Sequence, residues 1–282
     1  LVVALLGVLK AGAAYVGLDS RLPAERLSFM LDDAGPSVLL AQKQFAEALQ
    51  LDAVLIDSDI FATESEDNIE SAATPDNIAC LIYTSGSTGR PKGAAGEHRH
   101  ILGYLDGISD RLSLVPGKSF AMHQTLAVDA PVTFLYACLC RGGVLHLLTR
   151  ERVSNADALS AYFGDEQIDY FKVAPSHFRS LLTAARPEQV LPRDLILLGG
   201  EALTNDLVNR IQDLNPECRI VNHYGPTETT CGVATKEVVT KTDSPTIALG
   251  RPLAEAEIYL LDRYFKPVPI GVTGEVYIGG RT

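Results

Sequence analysis

The run Thr84-Ser85-Gly86-Ser87-Thr88-Gly89-Arg90-Pro91-Lys92-Gly93 places four hydroxyl side chains, three glycines and two cations within ten residues. Glycines let a backbone approach a ligand closely, hydroxyls donate hydrogen bonds and cations neutralise an anion, so this composition suits a polyphosphate. It differs from the P-loop of mononucleotide-binding proteins: Arg90 follows Gly86 by four residues, and Lys92 is followed by Gly93 where that motif needs a serine or threonine. An inert polar loop would not need hydroxyls, glycines and lysine in this order after a strand-like run.

Three further places carry polar groups where the surrounding pattern is apolar or tightly turned. Asp129-Ala130-Pro131 opens a helical stretch, where an aspartate reads as the cap of that helix. Lys172 sits inside Tyr170-Phe171-Lys172-Val173-Ala174, where burial is costly without an anionic partner unless the side chain extends to water at a strand edge. Tyr224-Gly225-Pro226-Thr227-Glu228 has the composition of a tight turn, and the preceding His223, read alone, suits a packed histidine. Cys231 reads as a small apolar filler.

The elements that must position these residues alternate between helix and strand. Apolar spacing predicts helices over 2–10 and 23–32, and strands over 14–18, 38–41 and 78–83. A helix is expected to begin near Glu97, directly after the Gly-rich run. Strands are then expected over 119–122, 144–148, 170–173, 195–198 and 220–222, separated by helical stretches, which argues a mainly parallel sheet with helices on its faces. Residues 59–76 are acidic and poor in apolar side chains, as in an exposed connection. From Thr246 onward Gly, Pro and short β runs (257–261, 274–278) read as the start of a small β subdomain.

The chain has 282 residues, 46% of them hydrophobic, enough for one large domain or two ordinary ones. Its formal net charge of −11 is a poor footprint for a polyanion and argues against nucleic acid as a partner. The apolar start, residues 1–9, is interrupted by Lys10 and Gly12, is too short to span a bilayer and lacks the basic start of a signal peptide. Cys80, Cys138, Cys140, Cys218 and Cys231 have no paired spacing, which fits reduced thiols and a cytoplasmic protein. The sequence begins inside a helical pattern and stops just after a strand-like run, so both ends are expected to continue in a longer protein.

Several segments together resemble one family. YTSGSTGRPKG at Tyr83–Gly93 is similar to the signature loop of the adenylate-forming superfamily of acyl-CoA synthetases, luciferases and peptide-synthetase adenylation domains. LKAGAAYVGLD at Leu9–Asp19, GEHRHI at Gly96–Ile101, NHYGPTETT at Asn222–Thr230 and GEVYIGG at Gly274–Gly280 resemble the nonribosomal peptide-synthetase branch, and the resemblance spans the whole chain. It implies an α/β fold with two mainly parallel sheets flanked by helices, a layered αβαβα core. Residues 1–282 would be the incomplete N-terminal core, 246–282 the beginning of a β subdomain, and the small C-terminal domain would lie outside this sequence. The family's ribose-holding aspartate and C-terminal lysine are not in this sequence either, so the fragment alone is expected to be inactive. Members usually carry proline at the position of Gly17 and asparagine at that of His100; neither position is expected to touch the chemistry.

The resemblance also assigns roles. The expected reaction joins an amino-acid carboxylate to the α-phosphorus of ATP, releases pyrophosphate and later passes the aminoacyl group to the phosphopantetheine thiol of a carrier domain, beside condensation domains of the same megasynthetase. Thr84, Ser85, Gly86, Ser87, Thr88, Gly89 and Lys92 would clasp the phosphates, Thr227 would meet the α-phosphate, and Glu228 would hold Mg²⁺. Tyr224 would stack its ring on adenine with Gly225 beside it in the nucleotide site, Gly200, Glu201 and Ala202 would cover the other face, and Asn222 would read its polar edge.

The same resemblance places Asp129, Ala130, Thr133, Lys172, Leu197, Gly199, His223, Cys231 and Gly232 around the amino-acid substrate, with Asp129 pairing its α-ammonium. The combination of Lys172, His223 and Thr133 is similar to aspartate-activating members, with asparagine the close competitor. An acyl- or aryl-acid CoA ligase sharing the loop, and a catalytically dead nucleotide-binding module, are the competing readings.

Overall fold

The computed structural model describes residues 1–86, 90–239 and 244–281. The chain divides into two units, Leu1–His98 with Thr125–Val128, and Arg99–Gln124 with Asp129–Thr282. The expected phosphate-loop residues Ser87, Thr88 and Gly89 lie outside the described residues.

The first unit contains α1 (Val2–Lys10), β1 (Tyr15–Val16), α2 (Ala24–Ala34), β2 (Leu40–Ala41), α3 (Lys43–Leu49), β3 (Val54–Leu55), β4 (Ile78–Thr84) and β5 (Lys92–Glu97). β1 pairs parallel with β4, β4 pairs antiparallel with β5, and β2 and β3 form a separate parallel pair. α2 buries Leu27 and Met30, one turn apart on one face, and ends at Gly35 in the left-handed conformation. Its Asp33 and the Met30 carbonyl accept from the Tyr83 hydroxyl at 2.7 and 3.4 Å, which pins the end of β4 to that helix. Burial and the Asp33 carboxylate push the Tyr83 phenol up to about 12. The acidic connection is exposed along nearly its whole length and holds one 3₁₀ turn at Asp59–Phe61.

The second unit comprises α4 (His98–Leu112), β6 (Ser119–Met122), α5 (Pro131–Arg141), β7 (Val144–Leu147), α6 (Arg150–Ser154), α7 (Ala156–Glu166), β8 (Tyr170–Val173), α8 (Pro175–Leu181), β9 (Leu195–Gly199), α9 (Asn205–Leu214), β10 (Arg219–Tyr224), β11 (Ala234–Glu237), β12 (Arg251–Pro252), β13 (Ala256–Leu261) and β14 (Glu275–Gly280). A seven-stranded sheet runs β12-β11-β10-β9-β8-β6-β7. The strands from β10 to β7 are parallel, and β11 and β12 are antiparallel additions at one edge. β13 and β14 form an antiparallel hairpin.

Alternation along these strands sorts the two faces. Phe171, Val173, Ile196, Leu198 and Ile220 enter a core with Leu159 and Phe163 of α7, Phe178 and Leu181 of α8, and Leu207 and Ile211 of α9. Tyr170, Lys172, Leu197, Val221 and His223 therefore point the other way, toward α4 and α5. Phe120, Phe134 and Tyr170 pack as tilted and edge-on rings there, with centroids 4.8 to 6.3 Å apart.

The α/β class and the alternation of the second unit agree with the sequence expectations. Four strands were not foreseen: the two-residue β3 and β12, and the longer β5 and β11. β5 stands where the sequence suggested loop running into helix, because Lys92-Gly93-Ala94-Ala95-Gly96-Glu97 carries none of the branched or aromatic side chains that signal a strand. β11 follows a turn that masks its short Ala-Thr-Lys-Glu pattern. Consequently the sheet that leads into the Gly-rich run has one parallel and one antiparallel pairing, and that run joins two antiparallel strands.

Candidate active site

The Gly-rich run leaves β4 at Thr84 and returns at Lys92, and these two residues face each other across the strand pair, with Thr84 Oγ1 donating to the Lys92 carbonyl at 3.4 Å. Gly86 has φ +54°, and a Cβ there would stand 2.1 Å from the Arg90 carbonyl oxygen. Glycine is thus required twice over, by backbone conformation and by the fold-back of the chain on itself. Ser85 and Lys92 are exposed, which leaves their hydroxyl and ammonium accessible to a ligand.

The second unit gathers a polar cluster beneath α4 and α5. Lys172, on central strand β8, is only 6% exposed. Its Nζ donates to Thr133 Oγ1 at 2.7 Å and to Cys231 Sγ at 3.1 Å. Thr133, fully buried on α5, is also 3.3 Å from Cys231 Sγ and 2.7 Å from the Tyr104 hydroxyl. The Tyr104 hydroxyl reaches His223 Nε2 at 3.0 Å. The alternative of a strand-edge lysine extending to water is therefore excluded: β8 lies between β6 and β9, and the side chain turns inward. Cys231 is more than an apolar filler, since its sulfur accepts from an ammonium.

Burial, and secondarily the positive charge of Lys172, hold the His223 imidazole well below its ordinary range. The ring is therefore neutral in the ordinary pH range and can offer a ligand a polar contact but no positive charge. The ring is gripped between glycines. A Cβ on Gly232 would lie 2.0 Å from His223 Nε2, and one on Gly199 would lie 2.7 Å from the His223 carbonyl oxygen and 3.2 Å from Nδ1. Gly225 and Gly232 cross so closely that a Cβ on Gly225 would meet the Gly232 Cα at 2.4 Å. Leu197 is fully buried and aligned in register between Lys172 and Val221.

Asp129 is half-buried at the approach to α5. Ala130 is the residue that caps α5, without any side-chain bond, and Pro131 opens the helix, so the capping alternative for the Asp129 carboxylate finds no support. The Thr227 side chain, and not the helix, is the polar neighbour that favours the charged form of this carboxylate. Burial raises its affinity for a proton, outweighing the Thr227 bond and the attraction of Lys172, and the Glu228 charge adds to the rise. Thr227 and Glu228 lie on a 3₁₀ turn, Thr227–Thr229, with Glu228 exposed. Thr230 ends this turn at φ +69°, a strained conformation for a β-branched residue.

The other expected nucleotide contacts are placed as follows. Asn222 is buried, and its amide donates to the carbonyls of Ile247 and Ala248 at 3.2 and 3.0 Å, leaving its Oδ1 as the group that could meet another ligand. Tyr224, half-buried, ends β10. Gly200 is left-handed at φ +86°, and Glu201 is tied to the start of α8 by bonds from Ser176 N and Oγ at 2.9 and 2.7 Å, which orders the Gly200-Glu201-Ala202 segment.

Two features were missed by sequence reasoning. Tyr104 gave no sequence signal beyond helical spacing, because its hydroxyl matters only through partners 29 and 119 residues away. Gly17 gave no signal of tight packing, but a Cβ there would lie 2.0 Å from the Leu126 carbonyl oxygen and 2.7 Å from Ala127 N.

Among the described residues no group of three or more His, Cys, Asp or Glu side chains could hold a metal ion, and no helix is long and apolar enough to cross a membrane. The five cysteines are free.

Comparison with known proteins fits this arrangement. The chain is 37% identical over 284 residues to a linear gramicidin synthase of Brevibacillus parabrevis, covering 100% of this chain and 4% of that protein. It is 35% identical over 291 residues to a dimodular nonribosomal peptide synthase of Bacillus subtilis, covering 99% of this chain and 12% of the relative. Among solved structures, a four-domain nonribosomal peptide synthetase in its holo form with AMP and glycine superposes with a TM-score of 0.85 at 32% identity, over 99% of this chain and 20% of that one. The peptide synthetase FmoA3 superposes with a TM-score of 0.89 at 27% identity, over 99% of this chain and 30% of that one. The family description "AMP-binding enzyme" matches residues 1–282, and the chain belongs to that family.

Proposed function

We propose that this chain is the incomplete N-terminal core of an adenylation domain that activates an α-amino acid with ATP, and that aspartate or asparagine is the substrate. The observation that carries this reading is one cluster holding opposite charges: the Asp129 carboxylate beside Thr227 and Glu228, and the buried Lys172 ammonium on Thr133 and Cys231. Asp129 suits an incoming α-ammonium. Lys172 suits a short side chain with a carboxylate or amide oxygen, and Ala130, Leu197, Gly199, His223 and Gly232 complete the wall.

In this reaction the amino-acid carboxylate oxygen bonds to the α-phosphorus of ATP and the bond to pyrophosphate breaks. Positioning and charge stabilisation do most of the catalytic work in such a step. Thr84, Ser85, Gly86 and Lys92, with Ser87, Thr88 and Gly89, hold the leaving phosphates, and Thr227 meets the α-phosphate. Glu228 is an exposed oxygen donor of the kind Mg²⁺ accepts, and as a single protein ligand it would leave the remaining positions to phosphate and water. When bound, the ion neutralises charge on the phosphates. Tyr224 and Gly225 form one side of an adenine site, Gly200, Glu201 and Ala202 the other, and Asn222 offers its Oδ1.

Support also comes from the relatives, which are peptide synthetases, one solved with AMP and glycine and one with an ATP analogue, AMPPNP. The chain spans 4 to 12% of the length of the relatives named above. We therefore also propose that it works in a cytoplasmic megasynthetase, with a carrier domain whose phosphopantetheine thiol receives the aminoacyl group and with condensation domains. Residues 246–282 would begin a β subdomain, with a small C-terminal domain beyond. The test is amino-acid-dependent ATP–pyrophosphate exchange by the full-length protein across the standard amino acids. Exchange led by aspartate or asparagine is expected; preference for a large aromatic amino acid would overturn the substrate assignment.

A further inference from the structure

Tyr104 has no assigned role, and its environment is unusual for a helix residue whose neighbours are apolar. It lies at the centre of the buried face of α4, between Ile101, Leu105 and Ile108, and is fully enclosed. Phenylalanine would satisfy that packing. A buried phenol oxygen needs partners, and Tyr104 finds two, Thr133 Oγ1 at 2.7 Å and His223 Nε2 at 3.0 Å. Those two residues come from α5 and β10, so one hydroxyl ties helix α4 to both walls of the Lys172 cluster.

Proton counting shows what this tie does. The Lys172 ammonium can only donate, so Thr133 Oγ1 accepts from it at 2.7 Å and has a single proton left to give. That proton goes to Tyr104 or to Cys231 Sγ. In the first case Tyr104 donates to His223 Nε2; in the second His223 Nε2–H donates to Tyr104, which donates to Thr133. Either ordering is a directional relay: His223 carries its proton on Nδ1 in the first and on Nε2 in the second, so Tyr104 couples the tautomer of a neutral His223 to the direction of the Thr133 hydroxyl. Without the phenol oxygen, Thr133 could turn its hydroxyl away from Lys172 and the His223 tautomer would no longer be coupled to it.

We propose that Tyr104 is a specificity-determining positioning residue: by holding Thr133 and His223 with one hydroxyl, it fixes the direction in which Lys172 presents its ammonium to the substrate side chain. This rests on the reading of the cluster as the amino-acid pocket. Tyr104 touches no substrate and acts through Thr133 and His223.

The test is Tyr104→Phe in the full-length protein, a change that removes one oxygen and no carbon, assayed by ATP–pyrophosphate exchange. The KM for the preferred amino acid should rise about tenfold, as for a lost hydrogen bond serving a charged group, while the KM for ATP stays within about twofold. Preference for that amino acid over alanine should narrow by a similar factor. The double variant Tyr104→Phe with Thr133→Val should be no worse than the poorer single variant, because both break one relay. Should Tyr104→Phe not accumulate as folded protein, Thr133→Val beside Thr133→Ser takes its place, with selectivity expected to fall in the first and to persist in the second. Unchanged selectivity, a parallel rise in the KM for ATP, or multiplying losses in the double variant would overturn the proposal. Absence of amino-acid-dependent exchange in the unaltered protein would remove the pocket reading itself, and this inference with it.

Discussion

The Lys172 ammonium lies 2.7 Å from the Thr133 hydroxyl, a bond that crosses from the middle of a parallel sheet to the helix packed over it. A cation so enclosed is costly unless it has partners or a charged ligand, and here its described bonds go to a hydroxyl and a thiol. Such a site is better suited to an incoming anion than to fold stability.

Lys172→Met tests that distinction. Replacing a buried charge with an apolar side chain of similar length is often neutral or stabilising. The denaturation midpoint should therefore hold or rise, while exchange with aspartate falls by about two orders of magnitude, the equivalent of roughly 3 kcal/mol. A loss of stability of more than about 3 kcal/mol would mean that the ammonium holds the fold together.

Asp129→Asn separates two roles in the opposite charge. The side chain caps no helix, so the fold should lose less than the roughly 1 kcal/mol of a missing cap. If the carboxylate pairs with the substrate ammonium, kcat/KM should fall by about two to four orders of magnitude. Parallel exchange kinetics and thermal denaturation decide it; full activity in the variant would refute the anchor.

The sequence made the alternating elements of the second unit legible because each strand is a short apolar run between helices with clear apolar spacing. It also exposed the Gly-rich run, whose chemistry is local. β5 was hidden because its pairing with β4, and not its own composition, makes it a strand. The partners of Lys172 were hidden for a related reason: Thr133 and Cys231 lie 39 and 59 residues away, and only sheet register and helix packing bring them together. Capping by Asp129 was a fair local inference that Pro131 at the start of the helix displaced.

Acid should weaken the fold below about pH 6.5. His123, whose Nε2 is buried without a hydrogen-bond partner, is lowered to about 4 by burial and by neighbouring His177, and His223 is lowered as well. Both are neutral when folded, whereas the unfolded chain takes up protons from about pH 6.5 downward, so stability is lost as pH falls through that window. Each histidine contributes at most about 1.4 kcal/mol per pH unit there, less for the partly solvated His123. Asp129, raised in the folded state, acts in the opposite sense between its ordinary 3.8 and its folded value. Denaturant midpoints at pH 7.5, 6 and 5 should fall in that order, and His123→Gln should flatten the trend; a flat profile in the unaltered protein would contradict it.

Gly17 provides the last prediction, because it stands directly against the backbone of the segment that continues into Asp129. A Cβ at this position would stand 2.0 Å from the Leu126 carbonyl oxygen, 2.3 Å from its carbon and 2.7 Å from Ala127 N. These are backbone atoms with no rotamer to relieve the overlap, so the segment over Thr125–Val128 must move. Overpacking of this type costs roughly 1 to 3 kcal/mol. Gly17→Pro and Gly17→Ala should both lower the denaturation midpoint by that amount. Because the displaced segment continues directly into Asp129, both should also raise the KM for the amino acid more than that for ATP. A Gly17→Pro variant as stable and as selective as the parent would mean that residues 125–128 can settle elsewhere without moving the anchor.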